Sequence, residues 1–255
     1  MFLAVDIGNT NTVFALYDGE MLQDSWRCKT EGSRTSDEYA AFLNELFTLS
    51  NAHWTDIEDI IVSSVVPDAT MHIERFCKKY VDCIPFFVST ENTNLVIDLD
   101  TPGEIGADRL VNAVAVVEHY ETPAIVIDFG TATTFDVIDT GGIYRGGVIA
   151  PGVRLSMEAL SHRTAKLPQV EIKKPPRMIG KNTGDAMRSG MYWGYIGLIE
   201  GIIEKIEQEM GLDALVIATG GLASLYAQST DVIKVVDEHL ILKGLLKIYK
   251  DVKNS

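Results

Sequence analysis

Residues 4–19 read AVDIGNTNTVFALYDG, and residues 126–141 read VIDFGTATTFDVIDTG. In both stretches an apolar strand leads into a short polar loop, and a second apolar strand leads away from it, which predicts a β-hairpin. The alignment pairs three positions of the first stretch with three of the second: Asp6 with Asp128, Gly8 with Gly130, and Thr12 with Thr134. A repeat of this kind indicates a duplicated structural unit.

Each hairpin is followed by a further apolar strand that ends in small residues, IIVSS at 60–64 and LVIATGG at 215–221. Helical patterns separate the strands, and one begins with a capping box formed by Thr35 and Glu38. Hairpins followed by strand–helix–strand units predict mixed sheets flanked by helices. The sequence therefore predicts an α/β protein with two similar halves, residues 1–120 and 121–255, and a cleft between them.

Composition narrows the class of protein. The 255 residues contain no apolar run of about 18, which argues against a transmembrane helix. The start, MFLAVDIGNTNT, has no basic segment before Asp6 and does not resemble a signal peptide, so we expect a cytoplasmic protein. A net charge of −14 argues against binding of nucleic acid or anionic membranes. An acidic protein that binds phosphate must use backbone N–H groups, hydroxyls and metal ions.

Several familiar sites are excluded. Cys28, Cys77 and Cys83 are odd in number and form no CxxC pair, which argues against a disulfide framework or a zinc site. The histidines show no metal-ligand spacing. There is no GxxxxGK[ST] motif and no GxGxxG after a strand. The DFG at 128–130 lacks the companion motifs of a protein kinase.

The first loop, DIGNTNT at 6–12, suits phosphate. Gly8 allows a tight turn, and the following residues offer amide, hydroxyl and backbone donors to phosphate oxygens. Asp6 would repel phosphate directly and more plausibly holds Mg²⁺, directly or through water. Asn, Gly and Asp are also common in ordinary hairpin turns. The second copy, DFGTATT at 128–134, favours the functional interpretation.

The segment GADR, residues 106–109, lies at the predicted start of a helix. Asp108 can accept the proton of a substrate hydroxyl as it attacks phosphorus. Arg109 can hold a carboxylate with two hydrogen bonds. Together they suit a hydroxy acid as the acceptor. Spacing alone would favour a structural interpretation, with an Asp at the helix N-terminus and an Arg on the surface.

A long helix is predicted from about Gly184 to Met210, ended by Gly211, with Thr183 as a possible cap. Its glycines recur at helical spacing, which favours close packing of another helix from the same chain or from a second subunit; these are Gly190, Gly194, Gly197 and Gly201. The glycines of ATGG, 218–221, would permit the flat approach of a ring such as adenine.

Taken in order, these motifs resemble those of the type III pantothenate kinases, within the superfamily of acetate and sugar kinases, Hsp70 and actin. The resemblance rests on DIGNTNT, EIGADR, DFGTATT, GGVIAPG (146–152), TAKLP (164–168), IGKNTGDAM (179–187) and ATGG. It implies two ribonuclease-H-like domains. It implies transfer of the ATP γ-phosphoryl group to the 4′-hydroxyl of pantothenate, giving 4′-phosphopantothenate, the first step of coenzyme A synthesis.

The resemblance also implies roles for individual residues. Asp108 is expected to be the general base, and Asp6 to lie near Mg²⁺. Asp128 is expected to bind a monovalent cation, K⁺ or NH₄⁺. The expected ATP ligands are Asp6, Ile7, Gly8, Asn9, Thr10, Asn11, Thr12, Val13 and Thr131. The expected pantothenate ligands are Gly106, Ala107, Asp108, Arg109 and Thr183, the last contributed across the interface of a homodimer.

One position departs from the family. Leu99, three residues before Pro102, stands where the family usually has a substrate-contacting Tyr. A related phosphotransferase that acts on another hydroxy acid is therefore an alternative. A nucleotide-binding regulator without turnover is a second alternative. The presence of Asp6, Asp108, Arg109 and Asp128 argues against the regulator.

Overall fold

The computed structural model describes residues 1–164 and 167–254, so the motif TAKLP at 164–168 lies partly outside the described residues. In the described part of the chain, no helix is long and apolar enough to cross a membrane. The strands are β1 (Phe2–Ile7), β2 (Asn11–Asp18), β3 (Met21–Lys29), β4 (Asp59–Ser64), β5 (Phe86–Phe87), β6 (Ala124–Phe129), β7 (Ala132–Ile138), β8 (Tyr144–Pro151), β9 (Leu215–Gly220) and β10 (Val235–Val236). The α-helices are α1 (Ser36–Leu49), α2 (Pro67–Phe76), α3 (Ala107–His119), α4 (Val153–His162), α5 (Thr183–Met210), α6 (Ala223–Ala227) and α7 (Leu240–Lys253).

Two five-stranded sheets share one topology. The first has the order β3-β2-β1-β4-β5, and the second has β8-β7-β6-β9-β10 when read in the corresponding direction. In each, the leading strand pairs antiparallel with the next strand and parallel with a later one, β4 or β9. The predicted α/β fold class, with duplicated mixed sheets flanked by helices, is confirmed.

The two hairpins differ in register by one residue. Asp6 lies opposite Val13, whereas Asp128 lies opposite Thr134. The polar loop of the second hairpin is one residue shorter than that of the first, which shifts every later pair of the hairpin. Opposite residues on neighbouring strands project to the same face of the sheet, so the shift changes which hydroxyl accompanies each aspartate.

The predicted pairing of Thr12 with Thr134 is therefore wrong. Thr12 lies opposite Ile7, and the residue in the corresponding place opposite Phe129 is Thr133. Both Thr12 and Thr133 are fully buried. Each faces away from the aspartate of its own hairpin, into the core beneath the loop.

The first sheet is covered on both faces. Leu3, Val5 and Ile7 point to one face and join an apolar cluster with residues of α1 and α2 such as Phe47 and Phe76. The other face of β1 and β4 packs on α7 and α3. Burial of apolar surface on both faces stabilises the first unit.

The chain forms two compact units. The first comprises Met1–Leu95, Asp100–His119 and the chain from Leu240 onward, and the second comprises Val96–Leu99 and Tyr120–His239. The predicted division at residue 120 differs from these units chiefly in α7, which packs on α3. Gly244 of α7 makes this approach possible, because a β-carbon there would stand 2.1 Å from the carbonyl oxygen of Val111.

Two predicted helix ends are found in the structure. Thr35 and Glu38 form the capping box of α1. Gly211 ends α5 with a φ of 73°, a left-handed conformation that glycine adopts without strain. The cap predicted at Thr183 is wrong: Asn182 is the N-cap, and its Oδ1 accepts a 2.9 Å hydrogen bond from the backbone of Asp185. Thr183 is the first residue of the helix.

Candidate active site

The first polar loop joins β1 to β2. It is closed by a 3.1 Å hydrogen bond from the backbone N–H of Gly8 to the carbonyl of Asn11. Asn9 and Thr10 are exposed at its tip, where backbone and side-chain donors can reach a bound anion. Thr12, by contrast, is buried, and its hydroxyl lies 2.9 Å from that of Thr30. The predicted segment 6–13 thus divides into an exposed tip and a buried support.

Asp6 stands at the end of β1, on the face of the sheet opposite to Ile7. Ser63, its neighbour on the parallel strand β4, donates a 3.0 Å hydrogen bond from Oγ to Oδ1 of Asp6. Ser63 is fully buried. One oxygen of the Asp6 carboxylate is therefore held by a rigid strand rather than by the loop. The sequence analysis missed Ser63, although the match between IIVSS and LVIATGG contained a signal for it.

The GADR segment forms the start of α3. The backbone N–H of Arg109 donates a 2.8 Å hydrogen bond to Oδ1 of Asp108. Gly106 allows this arrangement, because a β-carbon there would lie 2.6 Å from the same oxygen. Burial raises the pKa of the Asp108 carboxyl, and the hydrogen bond and the charge of Arg109 oppose that rise only in part. The result is a partly desolvated carboxylate, which is a stronger base than an exposed one.

A short series of contacts connects Asp6 to Asp108 within the first unit. The backbone N–H of Val65, just after β4, donates a 3.1 Å hydrogen bond to the carbonyl of Ile7. The side chain of Val65 also packs beside Gly106, 3.5 Å from where a β-carbon would stand. Both predicted carboxylates therefore lie at the same edge of the sheet, where β1 and β4 end. Such edges are the usual ligand-binding sites of open α/β sheets.

The second loop, in the second unit, is surrounded by glycines. Asp128 ends β6 beside Gly220 of β9, where a β-carbon would come within 2.6 Å of the Asp128 Oδ1. Gly220 has a φ of 85°, which strongly favours glycine. Gly152 packs on the loop itself, since a β-carbon there would lie 2.1 Å from the carbonyl oxygen of Thr131. Thr131 is exposed. The backbone around Asp128 and Thr131 is therefore packed too closely to accept a side chain at Gly152 or Gly220.

Helix α5 is hydrogen-bonded to the backbone that lies beside the second loop. The Tyr195 hydroxyl lies 2.6 Å from that of Ser156 and donates a 2.8 Å hydrogen bond to the carbonyl of Pro151. Pro151 lies opposite Ala132 and immediately precedes Gly152. Tyr195 could not be found from sequence motifs, because its contact with Pro151 joins residues that are far apart in the chain.

The predicted substrate ligand Thr183 is exposed at the start of α5. Gly180 packs against this turn, because a β-carbon there would lie 2.3 Å from the backbone nitrogen of Ala186. Further along α5, the glycine stripe leaves open space: within residues 1–164 and 167–254, apart from chain neighbours and the nearby backbone of α5 itself, no atom lies within 4 Å of a β-carbon placed at Gly190, Gly194, Gly197 or Gly201. The close packing predicted for these glycines is not found within the described chain.

Leu99 lies in the second unit. Its Cδ2 would stand 3.2 Å from a β-carbon on Gly146, which has a φ of 99°. The adjacent Asp98 is paired with Arg145. Leu99 therefore packs against backbone at the position where the family usually has a Tyr hydroxyl.

Comparisons with known proteins agree with one another. The family model described as type III pantothenate kinase matches residues 2–205. A type III pantothenate kinase of Paramagnetospirillum magneticum is 50% identical over 252 residues, covering 98% of this chain and 97% of the relative. One from Rhodospirillum rubrum is 51% identical over 252 residues, covering 98% of each chain.

Solved structures show the same fold at low identity. A 2-dehydro-3-deoxygalactonokinase of Sinorhizobium meliloti matches with a TM-score of 0.64 at 12% identity, covering 99% of this chain and 97% of the other. A Baf family transcriptional activator of Campylobacter jejuni matches with a TM-score of 0.63 at 23% identity over 100% of both chains. The structural matches support the fold, and the family match with the two close relatives supports the assignment. The chain belongs to the type III pantothenate kinase family.

Proposed function

We propose that this protein transfers the γ-phosphoryl group of ATP to the terminal hydroxyl of pantothenate. The observation that carries the proposal is the placement of Asp108, a half-buried carboxylate, at the same sheet edge as the Asp6 loop. A base and a phosphate loop at one edge suit the attack of a hydroxyl on phosphorus. Membership of the family supplies the choice of pantothenate as acceptor and of ATP as donor.

Asp108 is the proposed general base. It accepts the proton of the acceptor hydroxyl while the hydroxyl oxygen forms its bond to the γ-phosphorus and the bond to the ADP oxygen breaks. The raised pKa of Asp108 supports the role, because a base is most effective when its pKa approaches the working pH. Arg109 is proposed to hold the pantothenate carboxylate with paired hydrogen bonds. Gly106 and Ala107 complete the proposed acceptor site.

Asp6 is proposed to hold Mg²⁺, directly or through water. In the described residues, no group of three or more His, Cys, Asp or Glu side chains could hold a metal ion. Mg²⁺ requires no such group, since one or two carboxylates and the substrate phosphates commonly hold it. The carboxylate fixed by Ser63 fits this requirement. Bound Mg²⁺ would neutralise charge on the phosphates. The loop at residues 7–13 is proposed to bind the phosphate oxygens through the N–H groups and side chains of its exposed tip, with Thr12 as buried support.

Asp128 is proposed to bind a monovalent cation, K⁺ or NH₄⁺, and Thr131 to contact ATP. The close approach of the Gly152 and Gly220 backbones to this loop supports a site in which backbone carbonyl oxygens accompany the Asp128 carboxylate. A cation there would offset the negative charge that ATP brings to an acidic protein.

A homodimer is also proposed, with Thr183 contacting pantothenate at or near the interface. The exposure of Thr183 and the open glycine stripe of α5 support it. Glycines cost helix stability, and a second helix that packs closely against them would compensate for that cost. A cytoplasmic location is proposed as well.

The direct test combines purified protein with Mg-ATP, K⁺ and pantothenate and measures phosphopantothenate by mass spectrometry. We expect product formation that depends on all four components. No product over a wide range of K⁺ and pantothenate concentrations would contradict the proposal. Binding of ATP without any turnover would instead favour the alternative of a nucleotide-binding regulator.

Leu99 supports a second candidate, a kinase for another hydroxy acid. Its apolar side chain packs on Gly146 and cannot supply a hydrogen bond to the acceptor. Turnover should therefore be measured in competition between pantothenate and a small panel of hydroxy acids. A clear preference for pantothenate would eliminate this candidate.

A further inference from the structure

The exposed face of strand β3 carries two cations beside the first loop. We propose that Arg27, assisted by Lys29, binds the terminal phosphates of the nucleotide, so that the phosphate subsite extends from the loop onto this strand. The inference rests on the proposed ATP site at Asp6 and adds residues that the motifs did not indicate. The argument uses register, exposure and charge.

Strand register places Arg27 on the same face as Asp6. Asp6 lies opposite Val13 on β2, and Val13 lies opposite Arg27 on β3. Opposite residues on neighbouring strands project side chains to one face. Neighbouring strands are about 4.8 Å apart, so two strand spacings place the Asp6 and Arg27 backbones about 10 Å from each other. Because Mg²⁺–oxygen distances are about 2.1 Å, a metal ion and a phosphate group fit between the two side chains.

Core-facing and exposed side chains alternate along β3, in agreement with this orientation of Arg27. Trp26 and Cys28 pack against the apolar core on the other face of the sheet. Arg27 and Lys29 are exposed, and Val13 between Arg27 and Asp6 is only half-buried. The face of the sheet next to the loop is therefore accessible to a ligand.

The two cations are available for a ligand. The protein has 36 acidic and 22 basic residues, and several lysines are ion-paired, such as Lys79 with Asp37 and Lys250 with Glu20. In the part of the chain that the structure describes, neither Arg27 nor Lys29 forms an ion pair or a side-chain hydrogen bond. A guanidinium with its donors available suits bidentate binding of phosphate. Of the nucleotide groups, the terminal phosphates carry most of the charge that such a cation would recognise.

The test measures binding of MgATP, MgADP and AMP by calorimetry to the full-length protein and its variants. Arg27→Gln removes the guanidinium charge, and Lys29→Gln removes the assisting charge. Arg75→Gln is the matched control, because Arg75 is also exposed in the first unit but lies on α2 and changes the net charge equally. We expect Arg27→Gln to weaken MgATP binding about tenfold to a hundredfold, with a smaller loss for Lys29→Gln.

The AMP measurement separates a phosphate contact from general damage. AMP affinity should stay within about twofold of the unmodified protein, because AMP lacks the phosphates that Arg27 is proposed to hold. Equal losses for ATP and AMP, or an Arg27→Gln variant that binds MgATP as tightly as Arg75→Gln, would overturn the inference. If the unmodified protein binds MgATP in this pattern but never phosphorylates pantothenate, the proposed function fails and the phosphate subsite stands.

Discussion

Ser63 and Asp6 are joined by a 3.0 Å hydrogen bond between neighbouring parallel strands, with Ser63 as the donor. The donor is fully buried, so water cannot replace it without a rearrangement of the sheet. One oxygen of the Asp6 carboxylate is thus positioned by β4 rather than by the loop that follows Asp6.

Replacement of Ser63 by alanine should impair the use of Mg²⁺. We expect Ser63→Ala to raise the Mg²⁺ concentration needed for half-maximal activity about tenfold, because the Asp6 carboxylate loses its fixed orientation. Ser63→Thr should need nearly the same Mg²⁺ concentration as the unmodified protein, since threonine retains the hydroxyl. Ser64→Ala is the control, because the Ser64 hydroxyl lies beside Thr70 rather than Asp6. An unchanged Mg²⁺ dependence in Ser63→Ala would refute the positioning role.

Asp108→Asn should lower kcat by about two to four orders of magnitude, the usual contribution of a general base.

The same variant should be more stable than the unmodified protein at about pH 8. Folding raises the pKa of Asp108. Below the unfolded pKa of about 3.9, Asp108 is protonated in both the folded and the unfolded protein, so it does not lower the free energy of unfolding. As pH rises through the raised pKa, the folded state must bury a charge and stability falls.

Thermal unfolding of the Asp108→Asn variant and the unmodified protein, compared from about pH 4 to pH 8, tests this sign. The advantage of the Asn variant should grow with pH. An advantage that shrinks with rising pH would mean that Arg109 stabilises the ionised carboxylate more than burial destabilises it. Full activity in the variant would remove Asp108 from the role of base.

Gly152→Ala should disturb the second loop. A β-carbon would overlap the carbonyl oxygen of Thr131, at 2.1 Å, and approach that of Gly130, at 2.8 Å. We expect a loss of about 1–3 kcal/mol in unfolding free energy and a raised KM for ATP. Gly147→Ala is the control in the adjoining strand β8, since its β-carbon would overlap the backbone of Phe135 instead. Equal KM effects in the two variants would show that Gly152 acts only through stability.

The glycine stripe of α5 makes a prediction about assembly. If a second chain packs there, Gly194→Phe should convert a dimer to monomers in sedimentation experiments. Glu209→Phe, exposed on the same helix but away from the stripe, should not. In a monomer, Gly194→Ala should raise stability by about 0.5–1 kcal/mol, because alanine favours helix. A protein that is monomeric before mutation would contradict the proposed dimer.

The repeat made the topology predictable, because a strand–loop–strand pattern followed by a small-residue strand occurs twice and specifies two equivalent sheets. The strand register of the two hairpins was not predictable from the same sequence pattern. Matching Thr12 with Thr134 ignored a one-residue difference in loop length, which only the hydrogen-bond pairing between strands reveals. In a strand, one residue decides whether a hydroxyl faces the core or the site.

The candidate site, too, was only partly predictable from the sequence. The motifs named Asp6 and Asp108, whose chemistry is visible in the sequence. They did not identify Ser63 or Tyr195, whose roles come from residues brought together by the fold. The burial that raises the pKa of Asp108 was likewise hidden, since it depends on the packing of α3 rather than on local sequence.

The return of α7 to the first unit has a consequence for synthesis of the protein. The unit that carries Asp6 and Asp108 is discontinuous, and its last helix leaves the ribosome only after the whole second unit has been made. Until then the surface of α3 around Val111, where Gly244 later packs, has no cover from α7. We therefore expect the second unit to be the first able to complete its fold on the ribosome. Removal of residues from the C-terminus should damage the site near the N-terminus.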